Sequence, residues 1–461
     1  MDRYTENMIR LGLDIGTTTI SAVAFDAGRE TLLASVTLPT DADATPPAQR
    51  ANGWAEIDVP GVYQHALEAL RGVVAQLGAL ASEIGAIGMT GQMHGVAFLD
   101  ENSMPARTAI TWQDQRGKES LPAFIARAGG AGAFAEMGAL PAAGYGAVTL
   151  HWLREQDILP SALPCSIPDA IGAMLCHTAP KIDPTNAAGW GVFNVAKGTW
   201  DEAVLARLDL AVQWPQIVSA GTPVGRLTRA AAQACNLQPD IPVAVAVGDH
   251  PASLIGSGCT RAGTAHVNIG TGSQVSLVSD RFTPMDRRAG VETRPFVDGQ
   301  FVLTGASLCG GSAFALLRCF YETAAAMMGL PAPNEADLYS AMLASAIVTP
   351  AGAEGLIADT RFDGARHDPL RRASLHGMTR SNFTPAHLNR AVLEGIAEEL
   401  AQFYEAMVQS QGRAAVLVGS GNGLRKNSLL QEIVSRRFEL PLRLPAWQEE
   451  AAIGAAMIAG G

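Results

Sequence analysis

The sequence predicts an α/β protein built as two domains, and three observations carry that prediction. Short apolar runs bounded by Gly, Pro and Thr alternate with amphipathic helical stretches along the chain. The 461 residues suffice for two large domains or three ordinary ones, each burying roughly 70% of its unfolded surface without staples. A weak internal repeat favours two: Leu13-Asp14-Ile15-Gly16-Thr17-Thr18-Thr19 returns in form as Val267-Asn268-Ile269-Gly270-Thr271-Gly272-Ser273, at an offset of 254 residues.

Each copy reads as strand, tight Gly/Thr turn and strand, the apolar residues resuming at Ile20 to Phe25 and at Val275 to Val278. Such a turn presents backbone N–H groups and hydroxyls. From Pro60, apolar residues at 66, 67, 70, 73, 74 and 77 follow the helical period, with Asp58 placed to cap the start. Ile84 to Thr90 and Val96 to Leu99 read as strands around a Gly-rich turn, and Val243, Val245 and Val247 as a strand between Pro242 and Gly248. A long helix opens at Thr384-Pro385, with Leu388, Val392, Ile396, Leu400, Phe403 and Met407 on one stripe. Val416-Leu417-Val418 is a buried strand running into Gly419-Ser420-Gly421-Asn422-Gly423, and another helix follows Asn427. The expected domains are 1–252 and 253–461, with a cleft between them.

Composition excludes several function classes. Hydrophobic residues are 48% and charged residues 17%, so the chain is not largely disordered. Lys+Arg number 33 against 44 Asp+Glu, a net charge of −11. That argues against a nucleic-acid backbone binder, while leaving room for a small phosphorylated ligand. The six cysteines, at 165, 176, 235, 259, 309 and 319, form no Cys-x-x-Cys pair, so neither a zinc ribbon nor a dithiol site is written and free thiols in a reducing compartment are expected. Residues 1–7 are polar and acid-bearing rather than apolar, and no run of eighteen apolar residues occurs. The expectation is a soluble cytoplasmic protein with no membrane partner. P-loop, Rossmann glycine, nucleophile-elbow and zincin motifs are all missing, and the nine histidines are scattered.

The Gly/Thr turns remain as places for chemistry. Asp14, Gly16, Thr17 and Thr18 can wrap phosphate oxygens while Asp14 holds a magnesium ion or its water, although a plain hairpin turn has the same composition. Gly270, Thr271 and Gly272 offer a second grip on the same phosphates. Asp249 follows a buried strand, where α/β sheets place their sites; it can accept a proton from a hydroxyl, or simply cap a helix. Gln92, Met93 and His94 on a Gly-flanked turn, and Trp112 with Asp114 and Arg116, suit a polyhydroxylated ligand, although a polar loop around a core Trp reads equally well. Gly310-Gly311 and Gly419-Ser420-Gly421 each precede a helix and could let a backbone approach a purine or ribose.

In order and spacing these motifs, joined by Asn52-Gly53-Trp54-Ala55-Glu56-Ile57-Asp58, resemble the FGGY carbohydrate kinases from about residue 10 to the end. The resemblance implies two ribonuclease-H-like domains of actin/hexokinase type with a catalytic cleft between them. It implies ATP-dependent phosphorylation of a sugar's terminal primary hydroxyl, with Mg2+ as cofactor. Carried over, Asp249 is the catalytic base and a metal-site acid together with Asp14. Gly16, Thr17, Thr18, Gly270, Thr271 and Gly272 hold phosphates, Gly310, Gly421 and Asn427 line the adenosine pocket, and Met93, His94, Asp114, Trp112 and Asn186 meet the ketose. Residues 111–114, 186–194 and 427–441 are similar to the sedoheptulokinase subgroup, which makes sedoheptulose the expected ketose and a pentulose such as xylulose the alternative. His250-Pro251 departs from the polar residues more usual after the aspartate. A homodimer is a family expectation. A catalytically silent sugar- or nucleotide-binding regulator is the alternative of another class, and Asp14, Asp249 and the paired turns speak against it.

Overall fold

The computed structural model describes residues 9–331, 333–366, 368 and 370–460. Residues 1–7, read above as no leader, lie outside the described residues. The chain forms two compact units. The first comprises Met1–Gly258, Thr293–Phe301 and Trp447–Gly461, the second Cys259–Glu292 and Val302–Ala446.

The first unit begins with β1 (Ile9–Ile15), β2 (Thr19–Asp26) and β3 (Thr31–Pro39), an antiparallel meander. Asp58 caps α1 (Val59–Leu77) as expected, accepting the Gly61 N–H at 2.9 Å. The chain then enters β4 (Ile84–Gly91), which lies parallel to β1. Further on come α2 (Ile167–Cys176), α3 (Pro184–Ala188), β5 (Pro223–Arg226), β6 (Pro242–Ala244), β7 (Val247–Gly248) and α4 (Asp249–Gly256). The seven-stranded sheet runs β5-β6-β4-β1-β2-β3, with β7 also on β4. Strand alternation decides the faces. Leu11, Leu13 and Ile15 are buried with Val62, Ala66, Leu70 and Val73 of α1. Gly12 and Asp14 therefore look to the opposite face.

One expected strand is broken. Val243 to Val247 is not continuous, because side chains take the hydrogen bonds that would extend the ladder. The Ala246 N–H goes to Asp169 Oδ1 at 3.0 Å, and the Ala246 carbonyl accepts from Asn186 Nδ2 at 2.8 Å.

The second unit repeats the plan. β8 (Thr264–Ile269) and β9 (Ser273–Ser279) form an antiparallel hairpin. β10 (Val291–Pro295), whose residues from Thr293 on are counted with the first unit, and β11 (Phe301–Ser307) precede α5 (Gly311–Met327). α6 (Pro385–Gln411) starts where expected, and Thr384 caps it. It leads to β12 (Val416–Ser420), parallel to β8 as β4 is to β1, then α7 (Ser428–Phe438) and β13 (Leu442–Arg443). The six-stranded sheet runs β10-β11-β9-β8-β12-β13.

The last helix, α8 (Glu450–Ile458), belongs to the first unit and covers the sheet face opposite α1. Val23 and Phe25 are buried with its Ala452, Ile453 and Ala456. The approach is closer than side chains permit. A Cβ on Gly12 or Gly88 would fall 1.8 or 1.9 Å from a carbonyl oxygen of α8, while Gly256 of α4 and Gly454 of α8 give the same 1.9 Å clash against each other's helix. Only glycine fits these four positions, and they hold α8 against β1, β4 and α4. All six cysteines are free, Cys319 being exposed. No helix among the described residues is long and apolar enough to cross a membrane.

Candidate functional site

In the first unit, three parallel strands end side by side: Ile15 of β1 pairs with Gly91 of β4, and Gly91 pairs with Gly248 of β7. The residues that follow each strand end form the candidate site. They are the Gly16–Thr18 turn, the Gln92–His94 loop and Asp249, the arrangement that open α/β sheets offer to ligands.

The turn is braced rather than loose. Gly16 N–H donates to Thr19 O at 3.0 Å, Thr40 N–H to Thr18 O at 2.9 Å, and the Thr40 hydroxyl to Gly16 O at 3.0 Å. Asp14 is on the α8 face, where Glu449 stands just before that helix. Burial, and then the charges of Asp249 and Glu449, push its carboxyl up to about 7. Its Oδ1 is closed to solvent and has no hydrogen-bond partner. An acid in that condition is under-compensated, and a divalent cation would relieve it. No group of three or more His, Cys, Asp or Glu able to hold a metal occurs among the described residues. An ion such as magnesium needs only one or two carboxylates and keeps water and phosphate for its other positions.

Asp249 is not the helix cap. Gly248 occupies that position, and Asp249 is the first residue of α4. Burial pushes its carboxyl up to about 6, offset in part by the His250 N–H, which donates to Oδ1 at 2.7 Å. Its backbone is set from below. Gly248 N–H donates to the Thr185 hydroxyl at 2.8 Å, and that hydroxyl donates to Asp183 Oδ1 at 2.7 Å. Asn186 therefore acts mainly as a brace for this broken strand, although its Oδ1 is buried without a partner. His250 is held down to about 4 by burial and by the charge of Arg294.

Met93 packs on Gly248, where a Cβ would lie 2.7 Å from its sulfur. His94 has φ +72°, a conformation that L residues rarely adopt. Its Nδ1 lies 2.8 Å from Gly189 O, and its ring stacks on Tyr145 at 4.4 Å between centroids. The Gln92 side-chain amide is buried, and neither its Oε1 nor its Nε2 has a partner.

Trp112 is 46% exposed, so it is not a core residue, and its indole N–H donates to the Thr17 hydroxyl at 2.9 Å. Asp114 differs from expectation. It is fully buried, and its two oxygens accept from the Ala55 N–H and from the backbone and guanidinium of Arg116. Arg116 in turn bonds Glu56 at 2.6 Å and lies 3.9 Å over the Trp54 ring. Asp114 thus knits the Trp54–Glu56 segment to the Trp112 loop and offers no oxygen to a ligand.

In the second unit, the Gly270–Gly272 turn is tied to the start of α5. Gly310 N–H and Ser312 N–H donate to Thr271 O at 2.9 and 3.1 Å, and Gly311 N–H donates to Gly270 O at 2.8 Å. Gly421, φ +85°, lies against the same turn, a Cβ there falling 2.4 Å from Ile269 O. Three motifs distant in sequence thus meet at one place. Asn427 caps α7, its Oδ1 accepting the Leu430 N–H at 2.9 Å.

Glu449, Tyr145 and Arg294 escaped the sequence reading, since they lie in segments with no local signal.

The FGGY family of carbohydrate kinases matches the chain twice, its N-terminal domain over residues 9–256 and its C-terminal domain over 265–460. A glycerol kinase of Dechloromonas aromatica (strain RCB) is 30% identical, over 98% of this chain and 88% of its own. A sedoheptulokinase of Mus musculus is 28% identical, over 98% of this chain and 97% of its own. Among solved structures, a xylulose kinase from Rhodospirillum rubrum superposes with a TM-score of 0.86 at 24% identity, covering 97% of this chain and 88% of that one. A Plasmodium falciparum glycerol kinase with ADP gives 0.83 at 21% identity, covering 100% of this chain and 90% of that one.

Proposed function

We propose that this chain, which belongs to the FGGY family of carbohydrate kinases and is an ATP-dependent sugar kinase, transfers the γ-phosphoryl group of ATP to the terminal primary hydroxyl of a ketose. The observation that carries the reading is Asp249. It is an acid at a strand end, its backbone fixed by Thr185 and its carboxyl raised by burial, beside a loop suited to a polyol.

The carboxylate of Asp249 accepts a hydrogen bond from the substrate hydroxyl and aligns its oxygen for in-line attack. As the new O–P bond forms and the bond from γ-phosphorus to the bridging oxygen breaks, the hydroxyl proton passes to Asp249. ADP leaves with the electron pair. Because a free alcohol is a weak acid, the proton moves late, and alignment is a large part of what Asp249 supplies. The transition state is loose, so positioning and charge neutralisation dominate the rate. Thr17, Thr18, Gly16 and the Gly270–Gly272 turn hold phosphate oxygens, and Gly310 and Gly421 leave room for the adenosine. When bound, Mg2+ neutralises phosphate charge, and Asp14 and Asp249 would hold it or its water. Met93, His94 and the Trp112 face meet the sugar, Asp114 holds the Trp112 loop in place, and Asn186 braces the strand beneath Asp249.

Sedoheptulose is the best reading of the ketose. Its support is the matching stretches at 111–114, 186–194 and 427–441 and the likeness to the mouse sedoheptulokinase along nearly the whole of both chains. Glycerol is the second reading, favoured by the 30% identical glycerol kinase. Coupled ADP detection across sedoheptulose, xylulose, ribulose, fructose and glycerol tests both. The highest kcat/KM on sedoheptulose is expected. A preference for a pentulose or glycerol keeps the mechanism and discards the substrate, and ATP binding without turnover on any of them discards the kinase mechanism.

A further inference from the structure

Arg294 lies in the segment Thr293–Phe301, which the chain contributes to the first unit from within the second half of the sequence. The segment is pinned by a Thr293 N–H bond to Gly138 O at 2.9 Å, at a point so tight that a Cβ on Gly138 would fall 1.9 Å from Thr293 O. Arg294 is 8% exposed. Its Nη2 donates to the Tyr145 hydroxyl at 2.6 Å and its Nη1 to Ala188 O at 3.3 Å, and its guanidinium carbon lies 5.7 Å from the Tyr145 ring centroid.

Tyr145 is the platform for His94, the two planes lying within 11° of parallel. The edge of the imidazole is fixed as well. A carbonyl oxygen only accepts, so at 2.8 Å from Gly189 O the proton is on His94 Nδ1. In the neutral ring the lone pair is then on Nε2, an acceptor for a sugar hydroxyl. Arg294 and His94 hold the successive carbonyls of Ala188 and Gly189, and Tyr145 joins them. The planar fork of arginine can bond the phenol and a carbonyl together, which a point charge does less well.

We propose that Arg294 is a positioning residue for sugar binding: acting through Tyr145, it fixes the plane of His94, whose tautomer Gly189 O sets, so that Nε2 meets a substrate hydroxyl. This rests on the reading of His94 as a sugar contact.

The test is steady-state kinetics on whichever sugar of the panel is turned over, varied at saturating MgATP and the reverse. The variants are Tyr145→Phe, Arg294→Lys, Arg294→Met, His94→Ala and the double variant Arg294→Met/His94→Ala. Tyr145→Phe removes a single oxygen and keeps the stack, so it remains informative if the Arg294 variants fold poorly. Arg294→Met should raise the sugar KM about tenfold and Tyr145→Phe about fivefold, the scale of one hydrogen bond to a charged group, with the ATP KM changed less than about twofold. Arg294→Lys should recover only part of the loss, because an ammonium keeps the charge but not the fork that bonds the phenol and the carbonyl together. In the His94→Ala background, Arg294→Met should add less than about twofold. Additive effects, or a loss confined to kcat and Tm, would overturn the proposal. So would a sugar KM unmoved by Arg294→Met and Tyr145→Phe while His94→Ala raises it, with the sugar-site reading left standing. If His94→Ala leaves the sugar KM unchanged, that reading itself fails and the proposal falls with it.

Discussion

The two hairpin turns differ far more in charge than in shape. In the first, Asp14 pairs with Thr90 of a parallel strand that ends at Gly91, where a Cβ would meet Ile15 O at 2.5 Å. In the second, Asn268 pairs with Ser420, and the next residue, Gly421, would meet Ile269 O at 2.4 Å. Register, parallel partner and tight glycine are the same. Yet the first turn carries a carboxyl raised to about 7 beside two further acids, while the second carries an exposed neutral amide and hydroxyls. A common scaffold thus supplies the same turn twice, and on the function proposed above the carboxylate-for-amide difference at matched positions is what fits one turn to a cation and the other to a nucleotide.

The sharpest way to break that division is Asp249→Asn. We expect kcat to fall by about 10²- to 10⁴-fold with ATP affinity changed less than about threefold, read by single-turnover assay and nucleotide titration; parental turnover would remove the mechanism. Asp14→Asn should cost roughly 10²-fold in kcat/KM and raise the magnesium concentration needed for half-maximal rate. pH separates the halves next. Since Asp249 must be ionised and titrates near 6, kcat/KM should drop about tenfold per unit below that and level off above about pH 7.

Stability should move the other way in protein stripped of metal. The folded pKa of Asp14 is raised, so the folded state binds more protons than the unfolded one between about pH 4 and 7. Stability is therefore gained as pH falls through that window, and Asp14→Asn should raise Tm at pH 8 by a few degrees, with little difference from the parent at pH 4, by calorimetry. The smallest effect belongs to the second turn. Thr271→Val removes one hydroxyl, and the ATP KM should rise about fivefold with the sugar KM unmoved. A kcat loss as deep as that of Asp14→Asn would erase the distinction between the turns.

What the sequence revealed was local. Hairpins, the cap at Asp58, the helix starts at Thr384 and after Asn427, and the Gly/Thr turns depend on neighbours within a few residues, and each is written in residue types. The break in the strand before Asp249 was not legible, because Asp169 and Asn186 reach it from 77 and 60 residues away. Asp114 misled for a related reason. An acid beside an indole suits a sugar, but its oxygens are taken by Ala55 and Arg116, the former far off in sequence. Arg294 and Glu449 come from segments that rejoin the first unit after long excursions, and no local pattern marks such a return.

The glycine-lined groove filled by α8 has a consequence for how the protein is made. On the ribosome, β1, β4 and α4 emerge early, but the helix they close on is translated only after the entire second unit. Until then Gly12, Gly88 and Gly256 face an open groove, and the helix that begins with Asp249 lacks its buttress. The half that holds the acids is thus completed last, and a nascent chain released early lacks the helix that packs against α4.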